Sequence, residues 1–317
     1  MTAFRERHCL VTGCGFVGSH LVDALLDAGG LVRVASLSGA AHLAHPNLDV
    51  VQADLTQIDD CVRVATGMDD VFHAAGTVGA AGVLPTSAMA GITLNLTLTA
   101  NMLQAAWQVG VKRIQVYSSS TGYPVVSHPV NENEFWEGEP YPGYFGYGWM
   151  RRYIERLGEY VSQSSGVGVS IVRPGALYGP RDNFDPKTSH VIAGLIRRAI
   201  DGEEPFVVWG DGKDVRDIMH IRDFARGCLL ALDQKADCDP VNISAGKGIT
   251  TGELAAQVLE AVGRGDEKVV FDPSRPTALP YRVLNARKAQ ERLGFSPQIS
   301  LGDGLRETVS WLREKLA

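Results

Sequence analysis

The fold of this chain is decided by the stretch Leu10-Val11-Thr12-Gly13-Cys14-Gly15-Phe16-Val17-Gly18. Its apolar start predicts a buried strand that ends at Thr12, and the glycines that follow predict a tight loop. Residues 16–28 then have a helical pattern, and residues 31–35 suit a second strand. Strand, glycine loop, helix and strand form one βαβ unit of the kind that binds dinucleotides.

Strands and helices continue to alternate beyond this unit. Apolar runs that suit buried parallel strands lie at residues 48–51, 70–73, 113–117 and 169–172. Helical patterns lie between them at residues 91–109 and 147–162. This alternation predicts an α/β fold with a Rossmann-type doubly wound parallel sheet.

The chain changes character after Pro174. Pairs of glycine, proline and aspartate divide it into shorter elements, with helices near residues 190–201 and 251–262. A length of 317 residues also suits two lobes with a cleft between them. We therefore expect a dinucleotide-binding domain at residues 1–174 and a smaller lobe, mainly for the substrate, at residues 175–317.

The composition argues against several classes of protein. Hydrophobic residues make up 45% of the chain and charged residues 21%, which are ordinary globular values. The net charge is -6 and no lysine or arginine run is present, so we expect no nucleic-acid partner. No stretch of about 18 apolar residues occurs, so we expect no membrane span.

The five cysteines are scattered and lack the spacing of a zinc site. We expect reduced thiols and no metal. The charged amino terminus runs into the first strand without the apolar segment of a signal peptide, so we expect a cytoplasmic location.

The glycines have the spacing GxGxxG. Gly13 permits the tight turn, Gly15 lets the backbone approach a pyrophosphate, and Gly18 lets the helix pack closely. The helix amino terminus, at Phe16 and Val17, offers amide donors and the positive end of the helix dipole. Later strand ends predict further cofactor contacts at Asp54, Leu55, Ala74 and Ala75.

The position that usually selects NAD lies about 20 residues beyond the glycines. NAD enzymes place a carboxylate there to bind the ribose hydroxyls, whereas this chain has Ala35-Ser36-Leu37-Ser38. Without a carboxylate nothing repels a 2′-phosphate, and Ser36 and Ser38 can donate to it. The sequence therefore favours NADP over NAD, although no well-placed arginine supports the choice.

A second polar group follows the strand predicted at residues 113–117. It consists of Ser118-Ser119-Ser120-Thr121-Gly122-Tyr123 and, at the start of a helix, Tyr147-Gly148-Trp149-Met150-Arg151. With the glycine loop, these stretches resemble the Ser and Tyr-x-x-x-Lys elements of the extended short-chain dehydrogenase/reductase family of nucleotide-sugar epimerases and dehydratases. The resemblance covers nearly the whole chain and implies an NAD(P) cofactor and a nucleotide-diphosphate sugar as substrate.

Later blocks resemble one branch of the family in particular, the enzymes that epimerise and reduce a GDP-linked 4-keto-6-deoxy sugar. These blocks are Leu177-Tyr178-Gly179-Pro180-Arg181-Asp182-Asn183-Phe184, Ser189-His190-Val191-Ile192, Arg197-Arg198 and Val208-Trp209-Gly210. The resemblance implies that Pro174 contacts the cofactor. It implies substrate contacts at Thr121, His190, Arg198, Trp209 and Arg216, and Arg275, which lies in a proline-flanked loop, is a further candidate of the same kind.

The same resemblance implies a catalytic trio of Ser119, Tyr147 and Arg151. A tyrosine hydroxyl has an ordinary pKa of about 10, so it needs a nearby positive charge to exchange protons near neutrality. A cation four residues later lies on the same face of a helix and supplies that charge. Ser119 is chosen among three serines because the family places the catalytic hydroxyl four residues before the tyrosine that is here Tyr123. Tyr144 remains an alternative to Tyr147.

Two positions depart from the family pattern. Arg151 replaces a lysine; it keeps the charge and can bond the cofactor ribose, but its planar fork is larger. Thr121 stands where the 3,5-epimerising relatives have a cysteine that moves protons, a task that threonine cannot perform. Dehydratases usually have an Asp-Glu pair at the place of Thr121-Gly122, so dehydration is not expected.

The substrate residues have alternative interpretations. His190 matches a partner histidine of the epimerising relatives, but a histidine at a helix start can also cap the helix or contact a phosphate. Arg198 and Arg216 suit the nucleotide diphosphate because arginine binds phosphates with two hydrogen bonds. The alternative for each arginine, Arg275 included, is an ordinary surface salt bridge. Trp209 can stack on the nucleotide or pack beside it.

These patterns predict an oxidoreductase that transfers hydride between NAD(P) and C4 of a nucleotide-linked hexose, reducing a 4-keto sugar. The alternative is a 4-epimerase, which oxidises and re-reduces the same carbon and retains NAD tightly. A third reading, suggested by Arg151 alone, is a dinucleotide-binding protein that has lost its chemistry, which Ser119 and Tyr147 argue against.

We also expect a homodimer, because two helices carry apolar residues on more than one face. These residues are Ile92, Leu96, Leu103, Trp107, Met150, Ile154, Leu157 and Val161.

Overall fold

Strand β1 (His8–Thr12), which leads into the glycine loop, lies inside a large parallel sheet. The computed structural model of the chain describes residues 3–77, 85–234, 236–275, 277 and 279–317. Within these ranges the sheet also contains β2 (Leu31–Ser36), β3 (Leu48–Gln52), β4 (Asp70–His73), β5 (Arg113–Tyr117), β6 (Gly168–Pro174) and β10 (Val241–Ile243). The spatial order is β10-β6-β5-β4-β1-β2-β3, and all neighbouring pairs are parallel.

The order in which successive strands are added to the sheet reverses between β1 and β4. From β1 the chain proceeds outward to β3, then returns to β4 and proceeds outward on the other side to β6. At such a reversal the loops that follow the two strands separate and leave a crevice at the carboxyl ends. Thr12 and His73 are register partners at these ends, so the crevice lies beside the glycine loop.

Helices cover both faces of the sheet because each connection between parallel strands crosses over it. One face has α1 (Phe16–Asp27) and α6 (Ile221–Gln234), with α8 (Arg287–Leu293) packed against α6 and β10. The other face has α2 (Ile58–Ala65), α3 (Pro85–Val109) and α4 (Phe145–Ser165). A buried apolar core fills each layer, around Leu25 and Phe224 on the first face and around Met102 and Ile154 on the second.

A smaller lobe is built after Pro174. Its strands are β7 (Ala176–Tyr178), β8 (Phe206–Trp209), β9 (Val215–His220), β11 (Gly248–Thr250), β12 (Val269–Asp272) and β13 (Tyr281–Arg282). Its helices are α5 (Val191–Ile200), α7 (Thr251–Val262) and α9 (Leu301–Leu316). Strand β9 lies between β11 and β13 and also pairs with β7, while β8 pairs with β12. A third core, which includes Ile196, Phe206 and Val258, lies under these helices.

The part of the chain after residue 174 also contributes to the larger lobe. Helix α6 packs on α1, and β10 extends the sheet beside β6. The chain therefore leaves the smaller lobe and returns to it, and the division at residue 174 stays a prediction. In the described part of the chain, no helix is long and apolar enough to cross a membrane.

The predicted α/β fold with a doubly wound parallel sheet is confirmed. Helix α3 begins at Pro85 rather than at residue 91, because Gly91 lies inside the helix and proline suits a first turn. Helix α4 runs past the expected residue 162 to Ser165, where Gly166, with φ +76°, ends it in a left-handed conformation.

The apolar faces of α3 and α4 differ from the expectation in part. Leu103, Met150, Ile154 and Val161 are buried in the core of the single chain. They pack against the sheet because each helix is apolar on the side that covers it. These four residues therefore cannot form a subunit interface.

Candidate active site

The glycine loop between β1 and α1 has the form of a phosphate cradle. Gly13 has φ +78°, and a Cβ on it would lie 2.9 Å from the Cα of Ala75. A Cβ on Gly18 would lie 1.9 Å from the carbonyl oxygen of Gly13, so the helix packs directly on the loop. At Gly15 no atom of the described residues lies within 4 Å of the Cβ position. The backbone is open there, as the close approach of a pyrophosphate requires.

Helix α1 begins at this loop without a side-chain cap. Gly15 is the N-cap residue, and the first turn, which starts with Phe16 and Val17, contains no acidic side chain. The amide donors and the positive end of the helix dipole are therefore available to an anion.

Polar side chains meet where β1 and β4 end. Thr12 Oγ1 lies 2.9 Å from His73 Nδ1 and accepts a 3.2 Å hydrogen bond from the amide of Ala75. Burial lowers the pKa of His73 to about 4, and the charge of Arg151 adds to the effect. The imidazole is therefore neutral at physiological pH.

Two buried polar atoms at this edge have no hydrogen-bond partner among the described residues. They are His73 Nε2 and the hydroxyl of Ser118, which follows β5. Buried polar atoms normally have partners, so this pair fits a polar ligand lying over the strand ends. From the sequence, Ser118 was only one of three candidate serines and His73 was missed, although a histidine that ends a buried strand is a usable signal.

The predicted catalytic trio comes from two elements. Ser119 follows β5, and its hydroxyl accepts a 3.2 Å hydrogen bond from the amide of Thr121. Tyr147 and Arg151 lie about one turn apart on α4. Nη1 of Arg151 donates a 2.7 Å hydrogen bond to the carbonyl of Tyr117, at the end of β5. Burial lowers the pKa of Arg151 to about 10, so the guanidinium stays charged near Tyr147 at neutral pH.

The first turns of α4 pack on the turn that contains Ser119. A Cβ on Gly148 would lie 2.7 Å from the carbonyl oxygen of Thr121, so only glycine allows this approach. Nε of Arg152 donates a 2.9 Å hydrogen bond to the carbonyl of Gly122. The strand end and the helix start are thus held against each other.

A buried ion pair fixes α4 to the sheet. Arg173 on β6 is 1% exposed and donates hydrogen bonds of 2.8 and 2.7 Å to the two carboxylate oxygens of Glu155. It also donates to the hydroxyl of Tyr123 at 3.0 Å and to the carbonyl of Glu132 at 2.8 Å. This network holds the helix that carries Tyr147 at a fixed height above the strand ends.

The other predicted cofactor residues also lie at strand ends. Ser36 ends β2, Ala74 and Ala75 follow β4, and Pro174 ends β6. Leu55 is buried in the second core, and Asp54 accepts hydrogen bonds of 3.0 and 2.7 Å from the amide and hydroxyl of Thr56. Since Asp54 has these local partners, its contact with the cofactor stays a prediction.

Two arginines lie side by side on neighbouring strands. Arg282 on β13 is in register with the predicted Arg216 on β9, so both side chains point to the same side of the sheet. Arg282 is buried and donates to two backbone carbonyls of residues 123–124. Burial lowers the pKa of Arg282 to about 10, with a further contribution from Arg216. Adjacent cations suit a ligand of two negative charges, such as a diphosphate.

Sequence reasoning missed Arg282 because a strand of two residues has no periodicity to reveal it. Arg216 itself has a weak partner, Asp214, at 3.6 Å. The salt-bridge alternative considered for Arg216 is therefore present, but only at long distance.

The remaining predicted substrate residues differ in their surroundings. Trp209 is 55% exposed, and the guanidinium carbon of Arg275 lies 5.4 Å from its ring centroid, so the two form one stacking surface. Arg198 instead binds Glu203 and the carbonyl of Val207 within the smaller lobe. His190 is at the N-cap position of α5 but makes no side-chain cap bond, and burial lowers its pKa. Its capping alternative is therefore not realised.

The described residues contain no group of three or more histidine, cysteine, aspartate or glutamate side chains arranged to hold a metal ion. The five cysteines, all within the described ranges, are free thiols.

Comparison with known proteins extends this picture. A model of the NAD dependent epimerase/dehydratase family matches residues 9–244. A dTDP-4-dehydro-6-deoxy-D-allose reductase from a Streptomyces species is 34% identical, and the alignment covers 99% of each chain. GDP-L-fucose synthase 1 of Arabidopsis thaliana is 31% identical, over 94% of this chain and 90% of that protein. The structure of UDP-glucose 4-epimerase from Thermotoga maritima with UDP-glucose has a TM-score of 0.86 and 28% identity, over 98% of this chain and 100% of that one.

Proposed function

Because the chain belongs to the NAD dependent epimerase/dehydratase family, we propose that it is an NAD(P)-dependent oxidoreductase that reduces the 4-keto group of a nucleotide-linked 6-deoxyhexose. The observation that carries the proposal is that α4 packs against the end of β5, where Arg151 donates a hydrogen bond to the carbonyl of Tyr117. Tyr147 lies about one turn from Arg151 on this helix, and Ser119 follows the same strand. The similar Streptomyces protein, named as a reductase of a dTDP-linked 4-dehydro-6-deoxy sugar, supports the choice of substrate class.

Each member of the trio has a distinct task in this reaction. The reduced nicotinamide, when bound, supplies the hydride for C4 of the sugar. Tyr147 donates a proton to the oxygen at C4, and the hydroxyl of Ser119 donates a hydrogen bond to the same oxygen. Arg151 stabilises the phenolate that remains on Tyr147, because its buried positive charge is nearby. His73 and Ser118 have buried polar atoms that can bind the cofactor at the strand ends.

The smaller lobe binds the nucleotide diphosphate. Arg216 binds the phosphates, and the charge of the neighbouring Arg282, whose guanidinium donates to the carbonyls of residues 123–124, adds to the attraction. Trp209, with Arg275 over its ring, offers the stacking surface for the base. Arg198 contributes less, since its guanidinium already binds Glu203.

The test compares Tyr147→Phe with Tyr144→Phe. With a dTDP- or GDP-linked 4-keto-6-deoxyhexose, the purified protein is expected to consume NADPH or NADH and to form the 4-hydroxy sugar. Tyr147→Phe removes one proton donor and almost no volume, so we expect turnover to fall about 100- to 10,000-fold while cofactor affinity is retained. Tyr144→Phe is the matched control, because its ring lies one turn earlier and near Arg216. A larger loss in Tyr144→Phe than in Tyr147→Phe would move the role to Tyr144.

The second candidate function is a 4-epimerase, which the likeness to UDP-glucose 4-epimerase of Thermotoga maritima favours. An epimerase re-reduces the carbon that it oxidised, so it keeps its NAD and needs no added cofactor. Mass spectrometry of the purified protein separates the two functions. Copurified NAD and turnover without added NAD(P)H would establish the epimerase.

We propose that two copies of the chain pair through α3 and α4. Trp107, Tyr153 and Tyr160 are exposed there, and the rings of Trp107 and Tyr160 lie 6.2 Å apart. Exposed aromatic residues on adjacent helices suit an isologous interface. A dimeric mass by light scattering at micromolar concentration is expected, and a monomeric mass would contradict the pairing.

A cytoplasmic location is part of the proposal. It is supported by the free thiols, which suit a reducing compartment. Fractionation of cells that produce the protein tests it.

A further inference from the structure

The corner that receives the adenosine ribose lies between the glycine loop and the end of β2. The amide of Gly13 donates a 2.7 Å hydrogen bond to the carbonyl of Ala35, so the loop and the strand end are adjacent. A dinucleotide on such a loop places its ribose 2′ position at this strand end. Here the strand ends at Ser36, and residues 35–38 contain no carboxylate that would repel a 2′-phosphate.

His42 reaches this corner from the segment that follows β2. Its Nδ1 lies 3.8 Å from the sulfur of Cys14, the residue between the first two glycines of the loop. The hydroxyl of Ser36 lies 3.4 Å from the hydroxyl of Ser38 and 3.4 Å from the carbonyl of Ala40, so the segment folds back over the strand end. The His42 side chain is 17% exposed, which leaves its ring accessible to a ligand.

Asp23 on α1 fixes the orientation of the imidazole. Its Oδ1 accepts a 2.7 Å hydrogen bond from His42 Nε2, and its Oδ2 accepts one from Arg181. With Nε2 occupied by the carboxylate, Nδ1 is the ring atom that faces the loop. Because Arg181 neutralises Asp23, a protonated His42 leaves the cluster of three side chains with a net positive charge.

We propose that His42 recognises the 2′-phosphate of NADP and that Asp23 is its positioning residue, an inference that rests on the proposed use of a nicotinamide dinucleotide. A phosphate dianion favours the protonated imidazole, in which both ring nitrogens are donors. Nε2–H then donates to Asp23 and Nδ1–H donates to the phosphate, with Ser36 and Ser38 as further donors. His42 thus provides the positive charge that an arginine near residue 36 usually provides for a 2′-phosphate. The sequence pattern did not indicate His42, because this residue lies beyond the end of β2.

The test uses two fragments that differ only in the group concerned, adenosine 2′,5′-bisphosphate and adenosine 5′-monophosphate. Calorimetric titration of the full chain is expected to show a preference of at least about tenfold for the bisphosphate, because hydrogen bonds to a charged phosphate are among the strong ones. In His42→Ala this preference should fall to about twofold or less, while the affinity for the monophosphate stays unchanged. Asp23→Asn should lose part of the preference for the bisphosphate, since it weakens the hydrogen bond that orients the imidazole of His42.

Two further variants distinguish a specific contact of His42 with the 2′-phosphate from a general disturbance of the segment after β2. His45→Ala removes an exposed histidine of the same segment and should leave the preference intact. His42→Lys restores a cation and should keep most of the preference for the bisphosphate. The proposal is overturned if the unmodified protein binds the two fragments equally, or if His42→Ala retains the preference. Neither fragment contains the nicotinamide or the hexose of the substrate, so this result and the outcome of the reductase assay are independent.

Discussion

Gly91 on α3 lies directly against the hydroxyl of Tyr147 on α4. A Cβ on Gly91 would lie 2.5 Å from that oxygen and 3.4 Å from the hydroxyl of Thr77. Glycine inside a helix costs roughly 0.5–1 kcal/mol relative to alanine, so local stability does not explain its presence. The absence of a side chain at Gly91 leaves the space that the hydroxyl of Tyr147 occupies above the strand ends.

We therefore expect Gly91→Ala to displace the Tyr147 hydroxyl and to lower kcat at least about tenfold, because small misplacements of a reacting group are costly. The free energy of unfolding should stay equal or rise, since alanine is the better helix former. The control is Gly302→Ala on α9, where the nearest atom is the end of the Arg306 side chain at 3.5 Å. An unchanged kcat in Gly91→Ala would show that the hydroxyl acts from another position.

The core of the fold could be predicted because it depends on local patterns. The glycine loop and the buried strands each carry their signal within a few residues, and β1, β2, β4 and β5 lie close to where the sequence placed them. Gly91 shows the limit. The sequence pattern predicts a helix that starts at Gly91, whereas the structure places this glycine inside α3, in contact with a side chain of another helix.

The residues of the candidate site also differ in whether a local sequence pattern predicts them. Ser119, Tyr147 and Arg151 belong to short stretches that resemble a family pattern. His42 and Arg282 belong to no such stretch. The role of each depends on a residue that is distant in sequence, which is Asp23 for His42 and Arg216 for Arg282. Such pairings follow from sheet register and segment packing, which one sequence does not display.

Arg151→Lys is expected to keep activity within about tenfold of the unmodified protein or to raise it. Either residue places one positive charge near Tyr147, and the family geometry expects a lysine. A larger fall, equivalent to more than about 1.4 kcal/mol of barrier, would show that the site depends on the guanidinium and its bond to the Tyr117 carbonyl. Arg151→Met is the control that removes the charge.

The alkaline limit of activity should also depend on residue 151. Burial lowers the pKa of Arg151 to about 10, so its charge is present below that pH and is lost as pH rises through it. A lysine starts from an ordinary pKa of about 10.4, and the same burial lowers it further. The pH profile of kcat in Arg151→Lys should therefore fall at a lower pH than that of the unmodified protein. Coincident alkaline limbs would assign the limit to another group.

Glu155→Gln is expected to destabilise the fold by about 3–5 kcal/mol, because it leaves the buried guanidinium of Arg173 without its charged partner. The matched control on the same helix is Glu159→Gln, which breaks the exposed pair with Arg156 and should cost less than about 1 kcal/mol. Unfolding in urea measures both. Equal losses in the two variants would mean that the Arg173 network is not what holds α4 to the sheet.

The stereochemical outcome at the sugar ring depends on Thr121. Exchange of the hydrogens at C3 and C5 requires groups that take a carbon-bound proton beside the keto group, and a threonine hydroxyl cannot do this. Cys61, the thiol nearest in sequence, and Cys14 belong to the cofactor half, and burial raises the pKa of Cys14 and raises that of Cys61 to about 11. His190 alone can serve one carbon but not two. With a dTDP- or GDP-linked 4-keto-6-deoxyhexose in deuterated water, we therefore expect a product without deuterium at C3 or C5, as read by NMR and mass spectrometry, with a 3,5-epimerising member of the family as positive control. Incorporation at both carbons would show that another residue replaces the missing cysteine, and a reaction confined to C4 would have to be abandoned.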